Sequence, residues 1–424
     1  MRPRFITAYE HERLSVGSTA TDAISEADAL HLYQLGLKRP GFCTLGHRSV
    51  RLAQFAGLVK IDGRILEILP KVGDSESAEL SRGTFLRLLN SALDTPLFSG
   101  TNVGHDLRRQ SLLEVFIRAY LQELSMLVRR GLMRRYRNDE DDLPMVRGRL
   151  LIRRQVARHA MRVDQLACRF DDLDIDNPWN RVLKTALQAV RPWLRSIESG
   201  RNWIELNSAF DEVSADPQAL PMMAALVSDR QSRHYGPALR WAEWILRLLS
   251  PSVRAGANEA PELLFDMNRL FESAVANLLR RRIGNSMSLE TQGAGRHLAQ
   301  IAHSSQSPAF RLRPDLIIRH GAEVRSVGDT KWSRVDIGGR GWALPKESHA
   351  YQMHAYASAY ECDDFVLIYP WFGGSRNALP TAFNLRTTFG RSPVLHVVCI
   401  DVGRDGFPAV LEAEASALGS LFFK

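Results

Sequence analysis

The sequence predicts an α/β C-terminal domain over 256–424, preceded by a β-rich N-terminal region over 1–80 and a helical middle region over 81–255. Two apolar segments joined by Asp-Gly indicate strands near the start of the chain. Apolar residues spaced three and four apart dominate the middle region, which is the period of an amphipathic helix. After the stretch PSVRAGANEAP at 251–261, where we expect a domain boundary, helical and strand-like segments alternate as in an α/β domain.

The N-terminal region carries a hairpin signal. The segments LVKI and RILEIL are joined by Asp62-Gly63, a dipeptide that favours a two-residue turn with positive φ at both positions. Pro70 is expected to end the second strand, because proline has no N–H to donate to the ladder. The acidic stretch GDSESAE that follows is expected to form a linker.

The middle region is expected to be built from helices. The segment LLEVFIRAYLQELSMLVRRGL carries its apolar residues on one face, and Gly131 is placed to end that helix. Another helix is expected to begin with Asn177 as its cap and Pro178 at its first position, and a further one lies in ALRWAEWILRLL. The acidic segment NDEDDLP at 138–144 is expected to form a loop.

The C-terminal domain alternates helical and strand patterns. We expect a helix in LFDMNRLFESAVANLLRRRI, strands in LIIR and EVRSVG, a helix in HAYQMHAYASAYE, and strands in DDFVLIYP and PVLHVVCIDVG. Gly321 is expected to form the turn between the first two strands. This order of elements is the basis of the α/β prediction.

Composition and charge limit the possible partners and compartments. The net charge of +8 favours polyanionic partners such as nucleic acid, although a general preference for arginine over lysine explains it equally well. The four cysteines form no CxxC pair, which argues against a thiolate zinc site and a disulfide framework. The sequence shows neither a signal peptide nor an apolar run of membrane-spanning length, so we expect a cytoplasmic protein without a membrane partner.

Two carboxylates and a lysine stand at the ends of neighbouring predicted strands. Asp315 precedes LIIR, and Asp329 and Lys331 follow EVRSVG, so a hairpin would bring the carboxylates together. Mg²⁺ prefers carboxylate oxygens, and one or two of them with phosphate oxygens often suffice. Lys331, two positions beyond Asp329, points to the same side of the strand, while Thr330 is expected to point to the opposite side. These residues predict either a metal site or ordinary polar ends of a hairpin.

Neighbouring helices offer further candidates for such a site. Glu272, in the helix before the strands, is placed to act as a third acid, although a solvated helix residue is equally compatible with its position. Gln352 and Tyr356 lie four residues apart, and therefore on one face of the following helix. Both are candidates to contact a phosphate or a base, with a structural role beside the core as the alternative.

The set Glu272, Pro314-Asp315, Asp329-x-Lys331 and Gln352-x-x-x-Tyr356 resembles the PD-(D/E)xK nuclease superfamily, in its branch with a QxxxY helix. The resemblance extends along most of the chain. In order, ILEILPKVG, RRGLMRRYRNDEDDLPMVRGRL, CRFDDLDIDNPWNRVLKTAL, MNRLFESAV, RPDLII, DTKW and AYQMHAYA are similar to the McrC family, the nuclease subunits of McrBC-type modification-dependent restriction systems. One departure is His349-Ala350, where an acidic residue is expected from the family.

The resemblance implies a Mg²⁺-dependent DNA endonuclease that uses one or two ions and cuts methylated double-stranded DNA. It makes Asp315, Asp329 and Glu272 the metal ligands, Lys331 the catalytic lysine, and Gln352 with Tyr356 the motif pair that contacts substrate. It also implies a GTP-hydrolysing AAA+ partner like McrB, whose GTPase the chain stimulates. The N-terminal region would make that contact, and we expect its removal to leave the C-terminal domain folded.

Absent motifs narrow the function further. None of the seven lysines follows a glycine, so the chain has no Walker A loop and is expected to bind no nucleotide itself. HExxH and GxSxG motifs are likewise missing from the sequence. Two alternatives to the restriction nuclease remain: a non-catalytic adaptor that stimulates an AAA+ ring with a disused nuclease site, and a stand-alone DNA repair nuclease.

Overall fold

The chain forms two compact units, one made of Met1–Leu112 with Leu264–Lys424 and the other of Leu113–Leu263. The computed structural model describes residues 5–17, 23–61, 64–73, 77–93, 109–162, 164–227, 229–249, 262–284, 286–293, 295–302, 307–338, 342–372, 381–386 and 392–403. Within these ranges, no helix has both the length and the apolar character that crossing a bilayer requires.

The N-terminal part is rich in strands, as predicted. Its elements are β1 (Phe5–Tyr9), β2 (Arg13–Ser15), α1 (Glu26–Lys38), β3 (Cys43–Gly46), β4 (Ser49–Leu52), β5 (Phe55–Ile61), β6 (Arg64–Leu69) and α2 (Ala78–Ala92). Strands β5 and β6 are antiparallel with Ile61 opposite Arg64, which confirms the hairpin. The turn residues Asp62 and Gly63 lie outside the described residues, as do 74–76 of the predicted linker. Strand β6 ends directly before Pro70, as expected.

The middle part contains the predicted helices and also strands. Its elements are α3 (Leu112–Arg130), β7 (Arg135–Leu143), β8 (Arg149–Leu150), α4 (Ile152–His159), β9 (Leu166–Asp174), α5 (Pro178–Val190), α6 (Ile197–Ala209), α7 (Ala219–Ala224) and α8 (Gly236–Leu249). Helix α3 ends before Gly131, whose φ of +92° is easy for glycine. The side chain of Asn177 caps α5 by accepting from the backbone N–H of Asn180. Both helix-end predictions are therefore confirmed.

The prediction of a loop at 138–144 is wrong, because most of this segment lies in β7. Strands β7, β9 and β8 form an antiparallel sheet within the middle part. Arg169 on β9 donates to Glu140 on β7, with 2.7 Å between Arg169 Nε and Glu140 Oε1. Arg154 lies 3.2 Å from Asp142. The pair of Arg169 and Glu140 across the sheet stabilises the strand pairing, and Arg154 on α4 adds a further positive charge, which explains how a strongly acidic segment forms a strand.

The C-terminal part has the predicted alternation of helices and strands. Its elements are β10 (Glu262–Asp266), α9 (Met267–Arg282), β11 (Met287–Thr291), β12 (His297–Gln300), β13 (Pro308–Arg311), β14 (Leu316–His320), β15 (Glu323–Thr330), β16 (Asp336–Ile337), β17 (Ala343–Leu344), α10 (Glu347–Ala359), β18 (Asp364–Trp371), β19 (Thr381–Asn384) and β20 (Val394–Asp401). The predicted first helix begins later than expected, because the Asp266 side chain caps α9 and the preceding residues are in β10. The boundary stretch 251–261 lies outside the described residues.

A six-stranded mixed sheet forms the centre of the C-terminal part, in the order β11-β14-β15-β18-β20-β19. Strands β14 and β15 are an antiparallel hairpin whose turn includes Gly321, with φ of +59°, as predicted. Strands β15, β18 and β20 run parallel, and helix α10 lies in the connection between the first two. One cluster of buried apolar side chains, including Val327, Met353 and Phe365, joins this helix to the sheet.

The N-terminal part and the C-terminal part pack together within one unit. Strand β10 joins the N-terminal sheet, whose order is β1-β6-β5-β10. Helix α2 packs on α9, where the Asn277 amide donates to the carbonyl of Ala92 at 2.9 Å. The buried Arg87 guanidinium on α2 donates to the carbonyl of Val402 at 3.2 Å. The two parts therefore share a core, which the sequence did not indicate.

Candidate functional site

The hairpin of β14 and β15 brings Asp315 and Asp329 together at one end of the central sheet. Leu316 pairs with Gly328, so Asp315, one residue earlier, lies beside Asp329. Asp329 is 1% exposed, because β15 lies between β14 and β18 in the interior of the sheet. The strand register therefore brings the two carboxylates together, as predicted.

Thr330 holds the carboxylate of Asp315. Its backbone N–H and its hydroxyl both donate to Asp315 Oδ2, each at 2.8 Å. The expectation that Thr330 points away from the site is therefore wrong. The alternation of side chains between the two faces describes one strand by itself. Asp315 directly precedes the neighbouring strand β14, and from there its carboxylate reaches the Thr330 hydroxyl.

Lys331 is on the same side as Asp329, as its spacing predicted. Its Nζ lies 2.5 Å from Asp329 Oδ2 in a largely buried ion pair. The backbone N–H of Lys331 donates to the carbonyl of Ile368 on β18 at 2.9 Å, which fixes the start of the segment after β15. The ammonium group is therefore held directly against one of the two buried carboxylates.

Gln352 and Tyr356 lie on the face of α10 that meets the site and contact Asp329. The Gln352 amide donates to Asp329 Oδ1 at 3.1 Å and to the Tyr356 oxygen at 2.7 Å. The Tyr356 hydroxyl in turn lies 3.0 Å from the carbonyl of Arg313 and 3.3 Å from Asp329 Oδ1. This pair holds the Asp329 carboxylate in place. Contact with a phosphate or a base stays a prediction for both residues.

Glu272 lies on α9, close to Asp315 but bonded to a different residue. Gln292 donates to Glu272 Oε1 at 2.5 Å, and its own backbone N–H donates to the carbonyl of Asp315 at 3.0 Å. Burial and the nearby Asp315 raise the pKa of Glu272, while the bond from Gln292 lowers it. Across the described ranges, no three acidic, histidine or cysteine side chains are close enough to share a metal ion. Of the three predicted metal ligands, Asp315 and Asp329 therefore lie side by side, and Glu272 does not complete a three-residue metal site with them.

The electrostatics of the site are dominated by buried negative charge. Burial, together with the charge of Asp315, raises the pKa of Asp329 to about 7, against the opposing effect of Lys331. Burial also raises the pKa of Asp315, which the hydrogen bonds from Thr330 and the charge of Lys331 counteract. Two buried carboxylates side by side favour the presence of a cation, because each disfavours the ionised form of the other.

The donor set fits Mg²⁺. Asp315 and Asp329 supply hard carboxylate oxygens, and this ion is often bound by one or two carboxylates together with water and substrate phosphate. Glu272, which lies within electrostatic range of Asp315, is the further carboxylate available on that side. Since Lys331 already pairs with Asp329, the site also holds a fixed positive charge.

Other residues around the site were not predicted to take part in it. Gln292 has a φ of +54°, which is uncommon for a residue other than glycine, and contacts both Glu272 and the backbone of Asp315. Trp332 donates its indole N–H to Glu10, at the end of β1. In the sequence, His349 stands out only as a departure from the family pattern. Neither periodicity nor motif spacing marks these residues, because their contacts come from elements distant in sequence.

The family profile of the McrBC 5-methylcytosine restriction system component matches residues 50–370 of this chain. The chain belongs to the McrBC family. No curated protein sequence matches it. The resemblance seen in the sequence is thereby confirmed at the level of the family.

Solved structures of McrBC assemblies have the same fold as this McrBC family member. A chain of the Thermococcus gammatolerans assembly of McrB AAA+ hexamers with bound McrC superposes with a TM-score of 0.73 at 18% identity, covering 98% of this chain and 100% of that one. A chain of the Thermococcus gammatolerans McrBC complex gives a TM-score of 0.50 at 20% identity, covering 66% of this chain and 88% of that one. At these identities the similarity establishes the shared fold.

Proposed function

We propose that this McrBC family member is the DNA endonuclease subunit of a McrBC-type restriction complex. It would have a PD-(D/E)xK nuclease domain, depend on Mg²⁺ and cut methylated double-stranded DNA. The observation that carries the proposal is the convergence of Asp315, Asp329 and Lys331 at one end of the central sheet. Two buried carboxylates with an ammonium group beside one of them suit metal-assisted phosphodiester hydrolysis.

Each residue of the site has a separate role in the proposed reaction. Asp315 and Asp329 would hold Mg²⁺, with Glu272 as an additional acid, and the bound ion would act as a Lewis acid on a phosphoryl oxygen. The Lys331 ammonium group would orient the attacking water and offset the negative charge that builds up on the phosphoryl group. Gln352 and Tyr356 would keep the Asp329 carboxylate in the orientation needed for metal binding.

The partner of this chain would be a GTP-hydrolysing AAA+ protein like McrB. The fold shared with a chain from an assembly of McrB AAA+ hexamers with bound McrC supports this partner. We propose that the chain stimulates the GTPase of the partner, which recognises the methylated DNA. The positive net charge of +8 is consistent with a DNA-binding assembly.

Plasmid cleavage by the reconstituted complex tests the proposal. The wild-type chain and Lys331→Ala would each be mixed with the McrB-like partner, GTP and methylated or unmethylated plasmid, with Mg²⁺ or with a chelator. We expect cutting that requires GTP, methylation, Mg²⁺ and Lys331. Stimulated GTP hydrolysis without any cutting would instead favour the non-catalytic adaptor. Cutting without partner or nucleotide would favour a stand-alone nuclease.

A further inference from the structure

His349 lies beside the proposed site, on the same helix as Gln352. It is the third residue of α10, one helical turn before Gln352, so the two side chains are on the same side of the helix. Its ring is half-buried and lies beside Tyr369 of β18, with ring centroids 5.8 Å apart. The polar side chains on this side of α10 therefore extend from Gln352, which contacts Asp329, to His349 near the start of the helix.

Tyr369 determines which nitrogen of the His349 ring carries the proton. The Tyr369 oxygen lies 2.7 Å from His349 Nδ1 and accepts a hydrogen bond from the backbone of Lys346. Burial raises the pKa of Tyr369, so its hydroxyl keeps its proton at neutral pH and needs an acceptor. His349 Nδ1, 2.7 Å away, is in position to accept that proton. When Nδ1 accepts from Tyr369, the neutral ring carries its proton on Nε2, where it can donate.

The surroundings of His349 suit an anionic ligand. Burial lowers the pKa of its imidazole, and the positive charges of Lys331 and Lys346 lower it further. The lowered pKa favours the neutral ring at pH 7, and the ring lies within electrostatic range of two ammonium groups. A neutral imidazole is a weak acid, so a hydrogen bond to an anionic oxygen is favoured over proton transfer.

We propose that the Nε2–H of His349 donates a hydrogen bond to a non-bridging oxygen of the phosphate that is cut, beside Lys331. Tyr369 acts as the positioning residue, because it contacts the ring and holds the donor on Nε2. This inference rests on the proposed nuclease function and adds a substrate contact to it. The phosphate would then be held by Lys331, directly after β15, and by His349 on the first turn of α10.

Single-turnover cleavage by the assembled complex tests the contact. His349→Ala should slow cutting about a hundredfold to a thousandfold, the range for a lost hydrogen bond to developing charge. His349→Gln should restore most of the rate, because glutamine keeps an N–H donor there. His354→Ala is the matched control, since His354 is exposed on the same helix and contacts the carbonyl of Arg386. It should cut like the wild type, and all variants should stimulate the partner's GTPase normally.

Ring nitrogen NMR of the 15N-histidine-labelled chain tests the proton position without any cleavage. We expect the His349 resonances, assigned by their loss in His349→Gln, to report a proton on Nε2 and to change in Tyr369→Phe. A proton on Nδ1 would overturn the His349 contact and leave the proposed nuclease function standing. Full cutting by His349→Ala would do the same, provided that Lys331→Ala is inactive. A wild-type complex that cuts no DNA would overturn the proposed function and this contact together.

Discussion

Trp332 donates its indole N–H to both carboxylate oxygens of Glu10, at 3.0 and 3.1 Å. Trp332 directly follows Lys331, and Glu10 directly follows β1, so the segment after β15 is bonded to the N-terminal sheet. The indole also packs against the rings of Phe271 and Phe372. The backbone N–H of Lys71 donates to the same carboxylate at 2.9 Å. Glu10 therefore joins three parts of the unit that are far apart in sequence.

Replacing Glu10 should change how stability depends on pH. Burial raises the pKa of Glu10 from 4.5 to about 7. The folded state thus binds the proton more tightly than the unfolded state, so the contribution of Glu10 to wild-type stability is lost as pH rises from 4.5 through 7. Glu10→Gln cannot ionise and should gain stability relative to wild type between pH 5 and 8, by on the order of 3 kcal/mol.

Urea denaturation of both proteins across this pH range measures the effect of Glu10. Glu12→Gln is the control, because Glu12 is an exposed glutamate two positions further along. A difference between Glu10→Gln and wild type that stays constant with pH would contradict the prediction.

Removing residues 1–80 should unfold the C-terminal part. The deletion takes away β5, the partner of β10, together with Glu10, the acceptor for Trp332. The structure thus leads us to expect the opposite of the sequence-based expectation that the C-terminal domain folds alone. Calorimetry of the 81–424 fragment should show a cooperative transition for the unit of Leu113–Leu263, which the deletion leaves whole, and none for the C-terminal part. A second transition from the C-terminal part, near its position in the full chain, would show that the shared core is dispensable.

Lys331→Ala should abolish cutting and leave the fold intact. The ammonium group is held 2.5 Å from Asp329 Oδ2, where it acts on charge rather than on packing. We expect cleavage to fall by about a thousandfold, as for the loss of a group that stabilises the transition state electrostatically. Arg325→Ala, which removes an exposed positive charge from the same strand, should cut normally. Equal losses in the two variants would point to general charge rather than to the site.

Tyr356→Phe should raise the Mg²⁺ concentration needed for half-maximal cutting. The phenylalanine removes the oxygen that links Gln352, Asp329 and the carbonyl of Arg313. Loss of such a supporting bond typically costs about tenfold to a hundredfold in metal affinity or activity. A Mg²⁺ titration of cleavage measures this. Tyr351→Phe, an exposed tyrosine on α10, serves as the control and should leave the Mg²⁺ requirement unchanged.

Gly293→Ala should destabilise the strand end that carries Asp315. A Cβ at this position would lie 2.2 Å from Ile317 Cδ1, which is buried on β14. Overpacking of this kind costs about 1–3 kcal/mol. Adding Ile317→Val removes the clashing methyl group and should recover part of the loss. Thermal unfolding measures both variants, and Gly284→Ala, which meets no atom within 4 Å, should be close to neutral.

The sequence by itself determined the candidate site and the elements that carry it. Two short apolar segments carry Asp315, Asp329 and Lys331 at their ends. Pairing of these segments as a hairpin places the three residues at the same end of the sheet. Gln352 and Tyr356 were placed on one helix face by their spacing of four. Local patterns of this kind depend on neighbours in the sequence, so they are visible without a structure.

Only the tertiary structure decided what those residues contact. Thr330 bonds to Asp315 and Glu10 to Trp332, although 15 and 322 residues separate the partners. The acidic segment at 138–142 became a strand because arginines elsewhere in the chain face it. Periodicity carries no information about such partners, since long-range hydrogen bonds and ion pairs are set by how the elements pack. For the same reason, the shared core of the N-terminal and C-terminal parts emerged only from the folded chain.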